Sequence, residues 1–108
     1  MNGGNAVTEN GVKKTFYKNG TLATEVEVNK DGVAHGISKV SLKNGQLKAI
    51  GKMVDGKMDG KWEWWRESGE FWQEGHFKNG SREGTWTRYG RDGNVEKIKK
   101  FKDNVEIK

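Results

Sequence analysis

Cysteine and proline are both absent from this 108-residue chain, so neither a disulfide framework nor a thiolate metal site is available to it. Long apolar runs are missing as well. With 31% hydrophobic and 32% charged residues and a mean hydropathy of −0.99, no stretch suits a membrane span. Histidine is scarce: His35 and His76 are the only two. The serines Ser38, Ser41, Ser68 and Ser81 have no histidine at a pairing distance, so a nucleophilic constellation is not expected. The acids Asp55, Asp59, Glu63, Glu67, Glu70 and Glu74 stand as singletons without the calcium-loop spacing. The sequence therefore predicts no enzyme activity, no cofactor and no metal. A helical architecture is excluded by glycine, which fills 16 positions. Each would cost a helix interior about 1 kcal/mol relative to alanine.

Those glycines are ordered. Gly36, Gly60 and Gly84 fall in step, as do Gly45, Gly69 and Gly93, and then Gly56 and Gly80 with Asn104 in the matching place, at a period of 24 residues. Hydrophobic columns follow the same period at Leu47, Phe71 and Val95 and at Met53, Phe77 and Phe101. A fainter copy runs from Gly11 through Asn19-Gly20 to Val28, with one extra residue in 29–32 delaying its phase. Fixed self-similarity of this size marks an array. It divides the chain into a lead over 1–10, expected to be disordered, and four repeats over 11–35, 36–59, 60–83 and 84–108.

Turn pairs recur on average every 12 residues at Asn44-Gly45, Asp55-Gly56, Ser68-Gly69, Asn79-Gly80 and Asp92-Gly93. Such pairs suit type I′ reversals between antiparallel strands. Counting outward from two-residue turns sets Leu42 opposite Leu47, Trp65 opposite Trp72, Met53 opposite Met58, Gly75 opposite Trp62 and Gly51 opposite Ser38. The predicted fold is all-β: an elongated, single-layer, twisted antiparallel meander of about eight strands, with a short ninth over 105–108. Period-2 alternation then places Trp62, Trp64, Phe71, Phe77 and Trp86, with Leu42 and Leu47, on an apolar face. The wetter face takes Lys39, Lys61, Glu63, Glu74 and His76, interrupted by a Trp65/Trp72 pair, Tyr89 and Ile98.

The net charge of +5 is spread unevenly: 0 over 1–35, +3 over 36–60, −1 over 61–84 and +3 over 85–108. The tryptophan-rich unit is thus the acidic one, which argues against nucleic acid. Membrane contact would be at most peripheral, through the basic repeats. The opening MNGGNAVTEN lacks the basic-then-apolar pattern of a signal peptide, leaving the compartment open between the cytoplasm and an exported location.

The pattern carried by Gly60, Trp62, Trp65, Gly69, Phe71, Gly75, Phe77, Asn79 and Gly80 resembles the MORN repeat variant. The likeness spans roughly 11–104 and is fullest in repeat three, good in repeats two and four and weaker in repeat one. Departures are Ser38 and Ser41 at aromatic positions and Lys99 at a glycine position. The resemblance implies a stacked hairpin sheet serving as a protein-interaction platform. Bacterial members are often described as antitoxin-like, which would make the partner a toxin or effector.

Tryptophan is where binding is expected. Trp62 and Trp86 hold the repeat's own aromatic position and suit sheet packing. Trp64 and Trp72 exceed what the repeat needs, and with Trp65 and Tyr89 they form the expected binding patch. The expected function is a non-catalytic protein-binding module. The alternatives are a homodimer through the apolar face and an envelope, glycan or anionic-lipid binding repeat.

Overall fold

The structure, a computed structural model, describes residues 6–108. Ten strands run in chain order through one open antiparallel sheet: β1 (Ala6–Glu9), β2 (Val12–Phe16), β3 (Leu22–Val28), β4 (Ala34–Ser41), β5 (Leu47–Val54), β6 (Lys57–Trp65), β7 (Phe71–Lys78), β8 (Ser81–Tyr89), β9 (Val95–Lys102) and β10 (Val105–Ile107). β2 to β9 are the eight strands expected from the repeats. β1 is a correction to the disordered lead: Ala6 to Glu9 pair with Thr15 to Val12, and the rest of that lead, 1–5, lies outside the described residues. β10 closes the other edge by pairing with Lys100 to Lys102.

The reversals fall at the glycine sites and at Asp103-Asn104, and they are of two kinds. Both turn residues have positive φ at Asn10-Gly11, Asp55-Gly56, Asn79-Gly80 and Asp103-Asn104, as a two-residue I′ turn requires. At Asn19-Gly20, Asn44-Gly45, Ser68-Gly69 and Asp92-Gly93, only the glycine crosses to positive φ. There the glycine N–H bonds three residues back, as in Gly69 to the Arg66 carbonyl at 2.9 Å, and the turn is one residue longer. The Oδ1 atoms of Asn19, Asn44 and Asp92 each accept the N–H two residues on at 2.9 Å, which holds those residues short of the left-handed region.

The longer turn moves the register beside it. Met53 pairs with Met58, Ser38 with Gly51 and Trp62 with Gly75, as counted. Leu47 instead faces Ser41, and Phe71 instead of Trp72 faces Trp65, with a bulge between Trp64 and Trp65 absorbing the difference. A one-residue shift changes the face. Phe71 therefore leaves the face of Trp62 and joins that of Trp65, and Trp72 is left unpaired in the bulge.

Among the described residues no second layer covers the sheet, and the core is thin. Trp62, at 4% exposure, leads a short buried set with Ala49, Phe101 and Ser38. Its ring lies over Gly51 of the preceding repeat, and the ring of Trp86 lies over Gly75 in the same way. A strand glycine is needed at each place because a Cβ there would overlap the indole.

Candidate functional site

The six candidate tryptophan and tyrosine positions do not form one patch. On the face of Trp62, a continuous run of rings crosses the strands: Trp62 to Trp64 with centroids 6.2 Å apart, Trp64 stacked on Trp86 at 5.4 Å, and Phe77 edge-on to Trp86 at 5.1 Å. Phe101 extends it at 6.0 Å from Trp86. Trp62 is buried, and its indole N–H donates to the Lys52 carbonyl at 2.9 Å, so it packs the sheet. Trp64 and Trp86 are half-buried and keep part of their rings at the surface.

Trp65 and Tyr89 belong to the opposite face. Phe71 bridges them, 5.4 Å from Trp65 and 5.2 Å from Tyr89. The Tyr89 hydroxyl donates to Glu74 at 3.2 Å. Desolvation, followed by the Glu74 carboxylate, pushes that hydroxyl above its ordinary pKa of 10.0, so it stays protonated through the neutral range.

Trp72 does not face Trp65. It lies between two guanidinium groups, Arg66 and Arg88, each 6.0 Å from its ring. Arg66 is itself anchored, donating from Nη2 to the Tyr89 carbonyl at 2.9 Å. On the Trp86 side, Trp72 lines a shallow groove of about 240 Å³ with Gln73, Arg82, Thr87, Arg88, Lys97, Lys99 and Phe101. Arg82 lies 4.3 Å over the Phe101 ring, held by the side chain of Asn104 at 2.9 Å from Nε.

This cationic lining is what the linear reading missed. The acidic repeat three and the basic repeat four are separate when charge is summed along the chain. Strand pairing brings them together, setting Arg88 between Gln73 and Lys97 and Trp86 beside Lys99. Counting outward from Asp92-Gly93 yields the same Arg88–Lys97 pair, so the signal lay in the register. Aromatic rings and positive charge thus share one groove. Among the described residues, no cluster of three His or acidic side chains is placed to hold a metal ion.

The sequence profile described as MORN repeat variant matches residues 9–30, 58–79 and 82–103. The matched spans include the fainter first repeat and pass over 31–57, where Ser38 and Ser41 replace aromatics, the reverse of the expected ranking of repeats one and two. No curated protein matches the chain. Two solved structures share the fold. One is TarM, at 14% identity and a TM-score of 0.54, covering 96% of this chain. The other is a mutant of S. aureus TarM in complex with Fondaparinux, alpha-GlcNAc-glycerol and UDP, at 13% identity and a TM-score of 0.58, covering 100% of this chain. This chain spans 22% of the length of each.

Proposed function

The chain belongs to the MORN repeat variant family, whose repeats mediate binding to proteins or membrane lipids, and from that premise we propose a non-catalytic module that binds a partner protein. One observation carries the reading. The ring run of Trp64 and Trp86 and the neighbouring Trp72 stay half-exposed on a sheet that no other described residues cover, and large rings held rigidly at a surface are the residues that dominate interface energetics. A single layer of strands offers area for contact and no deep cleft for chemistry. Such a surface suits occlusion of a partner, the form of binding that the antitoxin-like resemblance implies for a toxin or effector.

The test is capture by crosslinking from an extract of the native host, with melting temperature measured in parallel. Trp72→Ala is expected to weaken partner retention tenfold or more with little change in melting, because Trp72 lies outside the buried core and has the guanidinium groups of Arg66 and Arg88 over its ring. Trp62→Ala is expected to lower the melting temperature, because it empties the thin core. Unchanged capture by Trp64→Ala, Trp72→Ala and the double variant would remove the proposal.

A further inference from the structure

Arg88 and Lys97 are direct cross-strand partners, which places two like charges side by side on one face of the sheet. Such a pair is unfavourable unless an opposite charge intervenes. The sheet shows how it supplies one elsewhere. Glu63 and Glu74 are also direct partners, and Lys61 reaches both, at 3.9 and 3.7 Å. No such ion serves the basic pair. Among the described residues, the ion pairs within 4.0 Å leave out Arg82, Arg88 and Lys97, and Lys99 has only Glu106 at 4.0 Å. The residues lining the groove include no acid.

We propose that the groove framed by Trp72, Arg82, Trp86, Arg88, Lys97 and Lys99 receives an acidic segment of a partner protein, whose carboxylates supply the missing anion between Arg88 and Lys97. The proposal rests on the protein-binding reading and names the chemistry of the partner. Arg88 offers the planar donor fork that a carboxylate matches. The apolar walls of Trp72, Trp86 and Phe101 beside the cations suit an acidic residue flanked by an apolar one. At about 240 Å³, the groove holds a side chain or two and not an extended polymer.

Other anionic partners fit less well. Single-stranded nucleic acid needs ring faces free for stacking. Here the Trp86 ring lies against Gly75, and Phe101, 6% exposed, is overlaid by Arg82. Insertion into a lipid surface needs apolar side chains that stand clear of the sheet beside the cations, whereas the Trp86 ring lies against Gly75 and Phe101 is buried under Arg82. The exposed Ile98 pairs with Thr87, in the register row next to that of Arg88 and Lys97, and so points from the opposite face.

The experiment uses the whole chain and a fluorescein-labelled octapeptide of mixed glutamate and leucine, read by anisotropy, beside the same peptide with glutamine for glutamate. The glutamate peptide is expected to bind at least tenfold more tightly than its glutamine counterpart, and to weaken as salt rises. Lys97→Glu turns the like-charged pair into an opposite-charged one. It is expected to abolish peptide binding while raising the melting temperature by about 2 °C. That combination separates a binding role from simple loss of fold. Equal binding of the two peptides, unchanged affinity in Lys97→Glu, or binding of phosphatidylserine vesicles or a short oligothymidylate in place of the peptide would overturn the proposal. If the Lys97→Glu protein fails to lose a host partner that Trp72→Ala does lose, the groove assignment falls while the protein-binding reading stands. Partner capture unchanged in Lys97→Glu, Trp64→Ala, Trp72→Ala and the Trp64→Ala/Trp72→Ala double variant would sink both.

Discussion

At the scale of single residues, the sheet is held by a size match repeated along the array. Trp62 lies over Gly51 and Trp86 over Gly75, and neither glycine has positive φ, so the need for glycine there is one of space alone. The corresponding contact between repeats one and two reverses the sizes: Val26 faces Ser38, and Ser38 is as buried as the core aromatics. The larger member of the pair thus sits on the opposite strand, Val26 in place of Gly51 and Ser38 in place of Trp62. Gly51→Val should force the Trp62 ring off the sheet and destabilise by about 1–3 kcal/mol. Trp62→Ser alone should cost about 3–5 kcal/mol, by analogy with truncating a buried aromatic. The double variant rebuilds the valine–serine pair, and a denaturant double-mutant cycle should show a favourable coupling of about 1–2 kcal/mol. Additivity within about 0.5 kcal/mol would mean that the ring and the glycine do not share a packing constraint.

At the scale of elements, the positions of the turns were legible in the sequence and their kinds were not. Asn44-Gly45 and Asp55-Gly56 look alike as dipeptides, yet Asp55 has φ of 50° while Asn44 stays out of the left-handed region. What separates them is a side-chain bond, Asn44 Oδ1 accepting the Gln46 N–H, which spacing alone does not reveal. The extra turn residue then moved Phe71 and Trp72 by one place, and with them the predicted Trp65/Trp72 pair. Pairs farther from the long turns, such as Met53 with Met58, kept the counted register because their own turn has two residues. The two kinds of turn should respond oppositely to glycine. Asp55→Gly should be close to neutral, whereas Asp55→Ala should cost about 1–2 kcal/mol for a left-handed alanine. At Asn44 both replacements lose the same hydrogen bond and should each cost about 0.5–1.5 kcal/mol. Urea midpoints of the four variants check this. A similar cost for alanine and glycine at Asp55 would contradict the assignment of its turn.

At the scale of the whole molecule, strand pairing among the described residues runs only between strands next to each other in sequence order, across a body of 47 × 32 × 20 Å. In such an array, stability is close to a sum over repeats and the seams between them. The same connectivity explains why the basic groove was invisible to charge summed along the chain: it is a property of a seam, made where repeat three meets repeat four. Seams also differ in quality, which leads to a test on the whole array. A second copy of residues 60–83 inserted after residue 83 sets the new Trp62 over the old Gly75 and Trp86 over the new Gly75, so every ring finds its glycine. That longer chain should melt at a higher temperature than the parent. A second copy of residues 36–59 inserted after residue 59 sets the new Ser38 against the old Gly51, two small residues facing each other where a ring should lie. A void at a seam forfeits its burial and contacts. This insertion, equal in length, should therefore melt below the first and show a second, earlier transition if its seam opens independently. Equal melting of the two insertions would show that the ring-and-glycine seam does not set the strength of the array.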